Sequence, residues 1–229
     1  MLTARVMTYN IQGHAASTRP DHIPKIAEVI AAAAPDVVGL QEVHRGTRAF
    51  PGDQAEQLAH LTGFHVAFGR STRMEGGEYG NAVLTRHPIA RTHVHPLPGS
   101  GEPRSVLQAD IAIGRESFSF FITHLAAWGR LLRVARLRQI DELAGIIARG
   151  SLPHVLCGDF NVPPAAEEME VLLSHGHLRL CGEPGEATFP MTRQRLDYIM
   201  CGPEWTVASS EVIRRGPSDH WPCVVDLKL

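Results

Sequence analysis

The run HVLCGDFN, residues 154–161, places three apolar residues, Val155, Leu156 and Cys157, before Gly158, and then sets Asp159 and Asn161 two positions apart. A short apolar run closed by a turn signal reads as a buried strand. The glycine permits a tight turn from which two oxygen-bearing side chains can converge on one point. The same grammar recurs along the chain, with Asn10 in TYNIQG, Glu42 in GLQEVH and His124 in FITHL each at or just past the end of an apolar run. Near the other end Ser218, Asp219 and His220 lead through Trp221 and Pro222 into CVVDLKL, a last core strand. Taken singly, these are a turn Asn, a strand-end charge and Asx-turn formers. Polar groups buried without partners cost about 1–3 kcal/mol each, so their repetition at strand ends predicts one organised site.

Working outward, runs rich in Val, Ile, Phe and Thr recur: ARVMTYNI, DVVGLQEV, HVAFG, NAVLTR, SVLQADIAI, SFSFFITHL, LDYIM and VASSEVI. Helices are predicted over residues 21–34, stopping before Pro35, over 53–62, from about 164 to 174, and over 130–149. In the last of these Leu137, Ile140, Ala144 and Ile147 recur at helical spacing and Gly150 closes the pattern. Strands in this number exceed one alternating βαβ sheet, so the expected class is an α/β sandwich of two packed sheets with helices outside. Two Gly/Pro-containing stretches, Gly69 to Gly80 and His95 to Pro103, are expected to be connections. With 229 residues, 44% of them hydrophobic, and no long linker or repeat, residues 1–229 read as one domain.

The formal net charge of −2 supplies no global basic field of the kind that drives nucleic-acid backbone binding. Lys25 and Lys228 are the only lysines. The arginine bias admits a phosphate-recognition reading, but codon bias explains it as well and it carries little weight. Core-like sequence begins at once, leaving no room for a signal peptide, and no apolar run approaches the roughly 20 residues that span a bilayer, so a cytoplasmic location is expected. Cys157, Cys181, Cys201 and Cys223 lack any CxxC spacing and read as buried free thiols.

Carboxylates and amides at strand ends suit a hard divalent cation. Mg²⁺ takes few carboxylates, keeps waters and accepts substrate phosphate oxygens, so Glu42 with Asn10, Asp159 and Asp219 would make an open site. The scarcity of thiolate and imidazole donors there weighs against zinc.

The ordered set TYNI, LQE, GNAVLTR, THL, GDFN, RLDYI and SDHW resembles the endonuclease/exonuclease/phosphatase superfamily of DNase I-like, metal-dependent phosphoesterases, across essentially the whole chain. The resemblance implies a four-layer α/β/β/α sandwich of two mostly antiparallel sheets flanked by helices, with the active site at one end. It implies Mg²⁺ or Mn²⁺ held at Asn10, Glu42 and Asp219. The catalytic set would be His124, Asp159, Asn161, Asp197 and His220, with Asp197 bonded to His220 and Asp159 and Asn161 orienting or activating the attacking water. Asn81, Arg104 and Trp221 would contact phosphate or substrate. No Ser, Cys or Lys nucleophile is called for, so direct water attack is expected, on a phosphodiester first. A phosphomonoesterase of sugar or inositol phosphates, or a silent binding protein on the same fold, are the alternatives. The implied partner is a phosphate ester; nucleic acid is one candidate carrier, and the expected state is a monomer.

Three weaker signals stand beside these. Arg130, Arg133 and Arg136 open the long helix, where cations oppose the helix dipole; an anionic substrate or pairing with acids such as Asp141 and Glu142 would explain them. Trp128 and Trp221 follow the His124 and His220 motifs and could wall the scissile group or simply pack. His14 and His44 are expected to line the cleft, whereas His93, His95, His175 and His177 read as strand or turn decoration.

Overall fold

A computed structural model describes residues 2–127 and 129–229, with backbone only at 130 and 131. Among the described residues twelve strands form: β1 (Thr3–Asn10), β2 (Val37–Arg45), β3 (His65–Met74), β4 (Gly77–Thr85), β5 (Ile89–Leu97), β6 (Arg104–Ile113), β7 (Glu116–His124), β8 (His154–Asp159), β9 (Arg179–Cys181), β10 (Asp197–Cys201), β11 (Thr206–Val212) and β12 (Cys223–Lys228). The helices are α1 (His22–Ala33), α2 (Gln54–Thr62), α3 (Arg130–Ala148) and α4 (Glu167–Ser174), with a 3₁₀ turn at Gly13–Ser17.

The strands make two six-stranded sheets, in the orders β11-β12-β1-β2-β4-β3 and β5-β6-β7-β8-β10-β9. Each contains one parallel pair, β1 with β2 and β7 with β8, and is otherwise antiparallel.

Period-two alternation sorts side chains into three apolar layers. Val6, Val37 and Val83 of the first sheet meet Leu107, Phe120, Ile122 and Ile199 of the second in the central layer. Met7, Tyr9 and Leu40, on the opposite face, pack under Ile23, Ile26 and Ile30 of α1 and Leu58 of α2. Phe121, Leu156 and Tyr198 pack likewise under Ile140, Leu143 and Ile147 of α3 and Met169 of α4. The result is the expected α/β/β/α sandwich.

Helix boundaries follow local chemistry. Asp53 accepts the Glu56 N–H to cap α2, and Gly63 ends it in the left-handed region. Ala34, at φ +50°, stops α1 one residue before Pro35.

Two expectations are corrected. Gly69 to Gly80 is not a connection: β3 and β4 run through it as a hairpin that turns at Glu75 and Gly76, the latter at φ +86°. Its alternation is weak because β3 is an edge strand with several half-exposed positions. Likewise β5 extends through His95 to Leu97, and only residues 98–103 remain a loop. All four cysteines are free and buried, as expected. Among the described residues no helix is long and apolar enough to cross a membrane.

Candidate active site

Topology gathers the polar strand ends. β7 and β8 are parallel, so His124 and Asp159 finish side by side in register, and antiparallel β10 begins at that same rim with Asp197 paired to Asp159. In the other sheet β1 finishes at Asn10, and the loop 213–222 before antiparallel β12 returns His220 to the same end. The rims meet across the sandwich, where Asn10 Nδ2 donates to Asp159 Oδ2 at 3.0 Å and to Glu42 Oε1 at 3.1 Å.

Glu42 reaches this point through a defect in β2. Register shifts between Leu40 and Val43, so that Gln41 and Glu42 sit opposite Asn81, and Glu42 takes φ +61°. Such a bulge re-aims a side chain, here toward the open end of the sandwich. Ser218 Oγ donates to the Asn10 carbonyl at 2.7 Å and accepts the His220 N–H at 3.1 Å, fastening the Asp219–His220 loop to the end of β1.

At the centre lies a chain of three buried groups. Asp197 Oδ2 accepts from His220 Nδ1 at 2.8 Å, and His220 Nε2 lies 3.7 Å from Asp159 Oδ2. His124 Nε2 approaches the same Asp159 oxygen at 3.6 Å. Burial opposes protonation of His220, but the charges of Asp197 and Asp159 and the Asp197 hydrogen bond overcome it and raise the imidazole to about 10. Burial, then the neighbouring Asp197, pushes the Asp159 carboxyl well above the ordinary carboxylate range, against the pull of His220 and the Asn10 amide. His124 is held far below the usual imidazole value by burial and the nearby charges of Arg104 and His220, so it is neutral.

The site suits a hard cation. Asp159, Asp197 and His220 offer ligand atoms within 4.8 Å of one another, but the 2.8 Å His220–Asp197 contact is a hydrogen bond, so these two form a relay rather than a cage. The better seat is Glu42, whose side chain is 22% exposed and whose Oε2 lies 3.9 Å from His14 Nδ1. Burial raises the Glu42 carboxyl, and the Asp219 charge adds to it. Glu42, with the Asn10 amide bonded to it and the Asp219 charge acting on it, fits a hard divalent cation.

The remaining expected residues are placed as follows. Asn161, at φ +56°, donates its N–H to Asp159 Oδ1 at 2.9 Å and its Nδ2 to the Leu125 carbonyl at 3.1 Å, which leaves its Oδ1 free of those bonds. Asn81 is buried and donates to the Ser105 carbonyl at 3.2 Å. Arg104 is buried at the start of β6, pairs with Glu102 at 3.1 Å, and has an Nε with no hydrogen-bond partner among the described residues. Trp221 is half-buried, its N–H donating to the Thr188 carbonyl at 2.7 Å.

His14 lies at the site, 62% exposed, whereas His44 does not line the cleft; it is buried, bonded to Thr47 and set edge-on to Tyr79. Two of the three helix arginines pair with acids, though on α4 rather than at Asp141 or Glu142: Arg133 with Glu167, and buried Arg136 with Glu168 at 3.0 Å. Trp128 and the Arg130 side chain lie outside the described residues. Sequence reasoning missed Thr188 and Phe189. The Phe189 ring sits 4.8 Å from that of His220, and the run ATFPM that carries both residues has nothing in it that sets it apart from a loop.

Residues 7–220 match the model of the Endonuclease/Exonuclease/phosphatase family. The chain belongs to that family. Escherichia coli (strain K12) YbhP is 28% identical over 169 residues, covering 69% of this chain and 66% of YbhP. Inositol phosphosphingolipids phospholipase C of Schizosaccharomyces pombe is 23% identical over 75% of this chain and 44% of its own. Mouse tyrosyl-DNA phosphodiesterase 2 is 24% identical over 70% of this chain and 41% of its own. The chain thus spans less than two thirds of the length of these relatives. Among solved structures, an endonuclease/exonuclease/phosphatase from Beutenbergia cavernae superposes with a TM-score of 0.82 at 28% identity, covering 100% of this chain and 72% of that one.

Proposed function

We propose that this chain is a Mg²⁺- or Mn²⁺-dependent phosphodiesterase that uses direct attack by water, acting as a cytoplasmic, single-domain monomer. The observation that carries the reading is the convergence of two imidazoles on Asp159 Oδ2, at 3.6 and 3.7 Å, with Asp197 behind one of them. No residue in this group is poised as a covalent nucleophile, while a base, a fixed cation and a neutral donor are all present.

Each group has a task that follows from its environment. Asp159, buried and raised, takes the proton of the attacking water, since a base works best when its pKa lies near the operating pH. Asn161 Oδ1 orients that water. His220, held charged by Asp197, stabilises the nonbridging phosphate oxygens, where preformed charge in a dry site acts most strongly. Neutral His124 donates to phosphate or to the departing oxygen. Arg104 adds a second fixed cation, with Asn81 and Trp221 completing the substrate wall. Glu42, Asn10 and Asp219 would hold the metal, which when bound would supply charge neutralisation at the phosphate and at the leaving group.

The diester preference is supported by two relatives named for diester cleavage on unlike carriers, a phosphosphingolipid and a tyrosyl-DNA link. The test is a metal-dependent screen over bis-p-nitrophenyl phosphate, single- and double-stranded nucleic acid, phospholipids, and sugar and inositol phosphates. Diester hydrolysis is expected; turnover of monoesters alone would overturn the preference.

A further inference from the structure

Asp197 poses a positioning problem. Its Oδ2 bonds to His220, and its Oδ1 is buried with no hydrogen-bond partner among the described residues, so side-chain bonds alone do not fix the carboxylate. Its orientation has to come from the backbone. Thr188, fully buried between β9 and β10, provides that constraint: its Oγ1 accepts the N–H of Leu196 at 2.9 Å and of Asp197 at 3.0 Å.

The same residue reaches the other half of the pair. The Thr188 carbonyl accepts the N–H of Trp221, next to His220, at 2.7 Å. Thr188 and Phe189 N–H both donate to the Gln194 carbonyl, at 3.0 and 2.9 Å, so the segment is itself a closed hairpin. Its next residue, Phe189, lies against the His220 ring at a 44° tilt.

We propose that Thr188 is a positioning residue for the His220–Asp197 pair, joining the two backbones that carry it. Loss of the hydroxyl frees the start of β10, lets the Asp197 carboxylate rotate, and lengthens the Nδ1···Oδ2 contact. Catalytic groups tolerate about 0.5 Å of error, and a displacement of about 1 Å can cost on the order of 100-fold in rate. The turnover arm rests on the phosphodiesterase reading above; the spectroscopic arm does not.

The experiment compares Thr188→Val, which keeps shape but loses the acceptor, with Thr188→Ser, which keeps it, in the full chain. The low-field proton NMR signal of His220 Nδ1–H is recorded in metal-free protein, assigned by its loss in His220→Gln. In parallel, kcat and KM are measured on bis-p-nitrophenyl phosphate. Thr188→Val is expected to lose the signal and on the order of 100-fold in kcat with little change in KM, and Thr188→Ser to restore both. A folded Thr188→Val with the signal in place and wild-type kcat would overturn the proposal, as would a lowered melting temperature with the signal unmoved. If Thr188→Val does not fold, Thr188→Ala, which leaves room for a water, decides by the same two readouts. If the wild-type chain cleaves no phosphate ester, the phosphodiesterase reading fails while the NMR comparison still decides the role of Thr188.

Discussion

Replacing Gly158 by alanine tests how the second sheet delivers His124 and Asp159 to the candidate site. Gly158 sits in β8 at φ +154°, opposite Thr123 of the parallel strand β7. A Cβ there would lie 2.0 Å from the Thr123 carbonyl oxygen and 2.9 Å from its carbon, both backbone atoms. Relief requires the strands to part by more than an ångström, since C···O contacts settle near 3.3–3.6 Å. Overpacking of this kind costs about 1–3 kcal/mol, and a non-glycine residue in so sparse a backbone region about 1–3 kcal/mol more. The expected loss, roughly 2–6 kcal/mol, is a large part of a typical stability of about 5–15 kcal/mol. The next residue pair along these strands is His124 and Asp159, so activity should fall as their 3.6 Å approach opens. Urea unfolding at constant m reads the stability, and diester turnover reads the site. Gly114→Ala is the control, with φ +64° but nothing within 4 Å of the added carbon, and it should lose about 1–2 kcal/mol and no activity. A Gly158→Ala protein within about 0.5 kcal/mol of wild type would refute the close-approach argument.

Other perturbations probe the supports. Arg136→Ala leaves Glu168 buried and uncompensated and releases the Ala127 carbonyl, so a loss of about 3–5 kcal/mol in denaturant unfolding is expected. Arg136→Met with Glu168→Met should recover most of it, and failure to do so would mean the pair contributes more than cancelled charge. His22 is buried, bonds the Ile11 carbonyl through Nε2, and has its pKa lowered by burial. Its stabilising effect is therefore present above the unfolded value of about 6.5 and declines as pH falls toward the folded value, because the unfolded chain binds the proton first. His22→Gln should flatten the stability–pH curve below that point; an unchanged acid slope would exclude His22 as its source.

How much of this was legible in the sequence depended on where the signal was stored. The strands that became central, such as VMTYN and VLCGD, declare themselves through dense apolar residues because both their faces are covered. β3 does not, since an edge strand tolerates half-exposed and small residues, and its glycines suggested a loop. The polar groups at the strand ends stood out against apolar neighbours, and their order along the chain carried the resemblance. What the sequence could not express was shape: the bulge that turns Glu42 toward the open end, and the inward turn of His44 two residues later. Thr188 was invisible for another reason. A buried threonine in ATFPM reads as loop punctuation until both of its backbone partners are seen.

In the proposed function Glu42 seats a divalent cation beside an Asp159-centred pair of imidazoles, and this assembly cleaves phosphodiesters. Its most direct test is turnover of bis-p-nitrophenyl phosphate against free Mg²⁺ concentration, for wild type and Glu42→Gln. Wild type should show no turnover in chelator and a saturable rise with Mg²⁺, while Glu42→Gln should stay flat or need far more metal. Equal turnover by both proteins, or turnover by wild type in chelator, would contradict the account.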